Sequence, residues 1–253
     1  MQRIVTILLV ILVVFNIYAF LMKDSSALLV GYAILMPMIG IFYGFSRNWE
    51  FTVVDKFMYF AYALGGISDI SIIINYNNKG ELIQIILACV VHLVFIVVFQ
   101  KEGTHVYSLE RKNLLKLLIP AVFVFFFFGF VLLKVIPDAV FLVTVLYAFE
   151  LFILVVLGYF RPVNKKSYWI GVIGVSLILV KDVFYSDYHF INQDVMVHSF
   201  MDITNAISYY LIAWSVAMNQ NDKSTVTNYV GIVTRFLKFL KKTNLVKFFV
   251  FES

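Results

Sequence analysis

The stretch AVFLVTVLYAFELFILVVLGYF, residues 139–160, decides the fold. At about 1.5 Å of rise per residue, a helix of this length crosses the roughly 30 Å hydrocarbon core of a bilayer. Its single ionisable group, Glu150, lies near the middle, and no alternation of apolar and polar residues runs through it. A barrel strand needs that alternation, whereas a helix satisfies its own backbone hydrogen bonds in lipid whatever the pattern. Pro137 precedes the run and Arg161-Pro162 ends it.

Outward from this segment, comparable runs stand at Ile4–Met22, Ala27–Phe45, Phe57–Asn75, Leu82–Phe99, Leu117–Leu133, Tyr168–Tyr185 and Met196–Met218. With 62% hydrophobic and 14% charged residues, the 253-residue chain has too little polar surface to clothe its apolar volume in water. The sequence therefore predicts an all-α, polytopic membrane helix bundle of eight transmembrane helices, forming one domain over residues 1–220. Arg3 before an apolar stretch resembles the start of a signal peptide, but the stretch is long and no clean small-x-small cleavage site follows, so a retained first helix is expected.

Eight crossings divide the Lys and Arg residues unevenly. Arg3, Arg47, Lys56, Lys101, Arg111, Lys112, Lys116, Arg161, Lys165, Lys166 and the six basic residues from Lys223 onward fall on one side; Lys23, Lys79 and Lys134 fall on the other. Cytoplasmic loops carry the excess of Lys and Arg, so both termini are expected inside, in the cell's inner membrane. Beyond Met218 a polar stretch leads into YVGIVTRFLKFLKKTNLVKFFVF, residues 229–251. Basic residues interleaved with aromatic and aliphatic ones predict an amphipathic tail over 228–251 that lies on the anionic inner leaflet. The net charge of +5 is accounted for by loops and tail, which argues against a nucleic-acid partner.

Ionisable groups inside membrane helices are costly unless they face a bundle interior or a wet cavity, so each is a functional candidate. They are Asp69, Glu150, Asp182 and Asp202, with His92, His198, Asn205 and Lys181 as polar company. His198, Asp202, Asn205 and Tyr209 recur at i, i+4, i+7 and i+11, a continuous stripe on one helix. Gly171, Gly174, Ile178 and Asp182 share a face of the seventh helix, and Tyr62, Gly66 and Asp69 one of the third. Small residues on such stripes let helices approach closely, turning the carboxylates towards protein. Given inside termini, these groups are expected to line one cavity between the midplane and the outer face. The lone Cys89 supports neither a disulfide nor a cysteine zinc site, and no HExxH, GxSxG, Walker or dinucleotide motif occurs. The remaining enzymatic equipment is a set of buried carboxylates, suited to acid/base chemistry.

The segments ALGGISDISIII (63–74), ACVVHLVFIVVF (88–99), GVIGVSLILVKDVF (171–184) and ISYYLIAWSVA (207–217) follow one another in an order that resembles the YhhN-like membrane family, whose characterised members are lysoplasmalogenases. The resemblance implies two essential carboxylates, Asp69 and Asp182, with His92, Tyr209 and Tyr210 nearby, and a lysophospholipid substrate cleaved at its vinyl ether without metal or organic cofactor. Glu150, Asp202 and Asn205 join the supporting set from their placement in the helices. Ser68, Lys181, Ala213 and Met36 depart from that family's usual Gly, Ser, Gln and Lys. Two other classes fit the same residues: a proton- or cation-coupled transporter using Asp69, Glu150 and Asp202, and a non-catalytic membrane sensor or partner.

Overall fold

The computed structural model describes residues 1–74, 78–104, 111–130, 136–191 and 194–221. Among them are eight helices and no strands: α1 (Gln2–Leu21), α2 (Ser25–Ser46), α3 (Val53–Ile74), α4 (Asn78–Lys101), α5 (Arg111–Phe130), α6 (Asp138–Tyr159), α7 (Lys165–Phe190) and α8 (Val195–Asn221). The basic tail expected over 228–251 lies outside the described residues.

Each helix contains nearly all of the apolar run that announced it and extends into the flanking polar residues. The largest offset is in α5, which begins at Arg111 rather than Leu117. Hydropathy marks where lipid contact starts, whereas backbone hydrogen bonding continues into the interface. Local signals set several ends. Asp24 caps α2 by accepting from the Ala27 amide at 3.0 Å, and Asn164 caps α7 by accepting from Ser167 at 2.8 Å. Between α2 and α3, Asn48 and Trp49 both adopt left-handed backbone (φ 51° and 58°), and the Trp49 amide returns to the Gly44 carbonyl at 2.8 Å.

Six helices close a ring: α2 packs on α3, α3 on α4, α4 on α6, α6 on α7, α7 on α8, and α8 back on α2. α1 covers the seam between α2 and α8, whereas α5 packs chiefly on α6, outside the ring. Small residues make the tight joints. A Cβ on Gly174 of α7 would stand 3.0 Å from Ile212 Cγ1 and 3.2 Å from the Ser208 carbonyl on α8; one on Gly66 of α3 would meet Pro37 Cδ at 3.2 Å.

Polarity is inverted relative to a water-soluble bundle. Ile4, Ile7, Val10, Ile11 and Val14 of α1 and Leu115, Ile119, Val122 and Phe126 of α5 are exposed, while Asn16, His92, Glu150, His198 and Asp202 are buried. Continuous apolar surface on this scale calls for lipid. Five helices, at Gln2–Leu21, Ser25–Ser46, Gly80–Lys101, Val140–Tyr159 and Lys165–His189, are long and apolar enough to cross a membrane, and the chain is accordingly an integral membrane protein.

Candidate functional site

Two chambers adjoin inside the bundle, towards the end where α1 passes into α2 and α7 into α8. The first is a polar recess of about 290 Å³, walled by Asp69 of α3, Tyr32 of α2, Lys181 and Tyr185 of α7, and Asp202, His198 and Asn205 of α8. The second is a slot of about 90 Å³ between α4, α5, α6 and α7; Ile85, Ala88, Phe123, Phe127, Ala148 and Leu179 make it apolar, and Tyr147 and Asp182 reach into it. Gln84, Lys181 and Tyr185 belong to both walls. The Tyr185 hydroxyl donates to Gln84 Oε1 at 2.8 Å and ties α7 to α4 at this boundary.

The carboxylates are held differently. Asp182 is gripped at both oxygens: Lys181 Nζ lies 2.7 Å from Oδ1, and the Tyr147 hydroxyl donates to Oδ2 at 2.9 Å. Lys181 also lines the recess, together with Asp69. Asp69 Oδ2 is buried and makes no hydrogen bond. Asp202 Oδ1 accepts from the Tyr32 hydroxyl at 2.7 Å, and Oδ2 stands 3.6 Å from His198 Nδ1. The His198 ring is in turn stacked on Phe20, with ring centroids 3.6 Å apart. Tyr32, Asp202, His198 and Phe20 thus form a locked polar-aromatic wall, and Asp69 is the less constrained acid facing it.

The residues expected from the sequence therefore separate into groups. Asp69, Asp202 and Asn205 line the recess and Asp182 lines the slot, so the expected single cavity is a pair of chambers, divided because the bulky Lys181 and Tyr185 fill what would join them. His92 and Tyr209 are buried behind these surfaces, paired at 3.3 Å through Nε2 and the hydroxyl; the His92 ring stands 5.3 Å from that of Tyr147. Tyr147, which donates to Asp182, links the His92 ring to the slot. Glu150, on the helix of Tyr147, is buried with Oε1 unbonded and lines neither chamber. Tyr210 points elsewhere: its hydroxyl is 3.2 Å from Thr6 Oγ1 and its ring packs on Phe42 of α2. Successive helical residues diverge by about 100°, so Tyr209 and Tyr210 cannot share one site.

Tyr32, Gln84, Tyr147 and Tyr185 were not singled out in the sequence. Phase offered a signal for two of them: Tyr185 lies one turn beyond Lys181, and Tyr147 one turn before Glu150. Nothing in the sequence pairs Tyr32 with Asp202 across 170 residues.

At the opposite end the bundle is sealed by buried charge. Arg47 Nε lies 2.9 Å from Asp55 Oδ1, which also accepts from Tyr43 at 2.6 Å. Arg161 pairs with Glu102 at 2.7 Å, and Asn219 donates to the same carboxylate at 2.8 Å. Among the described residues no cluster of three His, Cys, Asp or Glu side chains is placed to hold a metal ion. No family model, curated protein or solved structure matches the chain.

Proposed function

We propose that this protein crosses the inner membrane eight times with both termini in the cytoplasm, and that it hydrolyses the vinyl ether of lysoplasmalogen-like lipids to a fatty aldehyde and a glycerophospho-base. The observation that carries the reading is the meeting of an apolar slot and a polar recess at Lys181, with Asp182 on the slot side and Asp69 and Asp202 on the recess side. An amphiphile has the same division, and its ether linkage lies where chain gives way to head group. The Lys and Arg distribution favours an orientation with the recess towards the outer leaflet. α3 and α8 are then the more polar crossings, admitted because groups such as Asp69 and Asp202 face the ring interior, and α5 is a shorter apolar one.

The chemistry needs a proton on the alkene carbon, stabilisation of the resulting oxocarbenium ion, and water. Asp69, with an unbonded oxygen, is suited to deliver the proton and recover one from the attacking water. Asp182, fixed by Lys181 and Tyr147, is suited to hold negative charge beside the developing cation. Addition of water gives a hemiacetal, which collapses to aldehyde and alcohol, so one water is consumed and each carboxyl returns to its starting state. The buried ion pairs at the far end favour this reading over a transporter, which needs a second opening.

The test is release of fatty aldehyde by purified protein supplied with a lysoplasmalogen. Asp69→Asn and Asp182→Asn are each expected to cut the rate by about 10²-fold or more, the usual worth of an acid/base group, with normal expression. Absence of release by the unaltered protein, together with a Glu150-dependent proton current in proteoliposomes, would replace the hydrolase with the transporter. Absence of both would leave the sensor.

A further inference from the structure

The wall between the chambers is thin and made of groups able to part. Its centre is the hydrogen bond from Tyr185 to Gln84 Oε1 at 2.8 Å; one turn further along both helices, His189 Nδ1 and Glu81 Oε1 stand 3.7 Å apart. Both contacts join α7 to α4, helices that are not ring neighbours and otherwise meet little. On one side of the wall lies a space rich in charge, on the other an apolar one. The apolar slot also has a weak outer side. α5 supplies Phe123, Phe127 and Phe128 to it, yet packs chiefly on α6, through contacts such as Phe125 on Phe149 and Phe152. Among the described residues no second helix packs closely along α5, so the slot can be reached from lipid along its outer face.

We propose that the Gln84–Tyr185 bond is an internal partition, and that it opens to admit one single-chain amphiphile from the bilayer, its hydrocarbon chain threaded through the slot beside α5 and its polar end in the recess. The proposal rests on the lipid reading of the site, though not on hydrolysis. The slot, at about 90 Å³, has room for part of one chain and not for two, so that the rest of that chain stays in the bilayer beside α5. The recess presents both signs of charge, Lys181 against Asp69 and Asp202, which matches a zwitterionic head group. Opening the partition also lets Asp69 and Asp182 address one bound molecule, which the closed wall prevents.

Full-length protein in nanodiscs, with a lysophosphatidylcholine carrying a diazirine near the chain terminus, tests this directly. Labelling of the unaltered protein is expected on α5 and the facing parts of α4 and α6, with competition by unlabelled lysophosphatidylcholine and at least tenfold weaker competition by the diacyl lipid. Ala88→Trp and, separately, Ala148→Trp are expected to weaken binding at least tenfold by filling the slot. Tyr185→Phe, which removes the partition bond while keeping the ring, is expected to strengthen binding about threefold. Labels confined to α1 and α2, equal competition by diacyl lipid, or weaker binding by Tyr185→Phe would overturn the proposal. Labelling as expected without aldehyde release from a vinyl-ether lipid would retain the partition and remove the hydrolase; aldehyde release indifferent to both Trp variants would do the reverse.

Discussion

Lys181 illustrates what neighbouring residues in one helix can and cannot announce. Its place before Asp182 marked a charged spot inside an apolar run, but adjacent positions on a helix diverge, and nothing in the sequence required the ammonium to turn back onto the carboxylate at 2.7 Å. Lys181 is, with Gln84 and Tyr185, one of three residues common to both chambers, and the one that carries charge. Lys181→Met should leave Asp182 held by Tyr147 alone and lower aldehyde release by about tenfold or more, while Lys181→Arg should keep most of it, since loss of one partner strands the other's charge. Comparing kcat of the two variants checks this. The Glu102–Arg161 pair is structural by the same logic: both side chains are fully buried, and Glu102→Gln should cost about 3–5 kcal/mol by stranding the guanidinium. Replacing both, as Glu102→Leu with Arg161→Met, should recover much of that loss, measured by unfolding in detergent. Arg161 was legible only as one more positive charge near an inside loop; its partner sits 59 positions away.

The helices themselves were readable because lipid allows so few solutions: long apolar runs, backbone satisfied internally, polar groups turned inward. Asp202, Asn205 and Tyr209 do share an inward stripe on α8, as spacing required. Register between helices was not readable, because many apolar faces can meet in many ways. Glycine spacing narrows the choice on α7. With Ile212 Cγ1 at 3.0 Å and the Ser208 carbonyl at 3.2 Å from where a Cβ would stand, Gly174→Leu must separate α7 from α8. A cost of about 1–3 kcal/mol is expected from such overpacking. Because α7 and α8 carry Asp182 and Asp202 on the walls of the two chambers, lipid binding should fall with it, and thermal denaturation followed alongside binding would show both.

For the molecule as a whole, the ring of six helices explains why the candidate residues, scattered from Tyr32 to Tyr209, converge. Composition and charge distribution foretold a bundle with one polar interior; they did not foretell that α5 stands outside the ring, since its apolar run looks like the rest. The proposed orientation predicts that, with Cys89→Ala as background, a thiol at Met22 reacts with a membrane-impermeant reagent from outside intact cells and one at Lys165 reacts only after permeabilisation. Both positions are exposed in the structure. Labelling of Lys165→Cys in intact cells would reverse the topology and put the recess on the cytoplasmic side.

A helix anchored along one flank is the part of an assembly that a change of bilayer thickness tilts first. α5 is such a helix, with Lys116 towards one interface and Pro120 within its apolar length. Tilting it widens or narrows the crevice it borders. On the proposed lipid reading, longer or shorter acyl chains in the host bilayer are expected to change how readily the protein loads, with no second effector required.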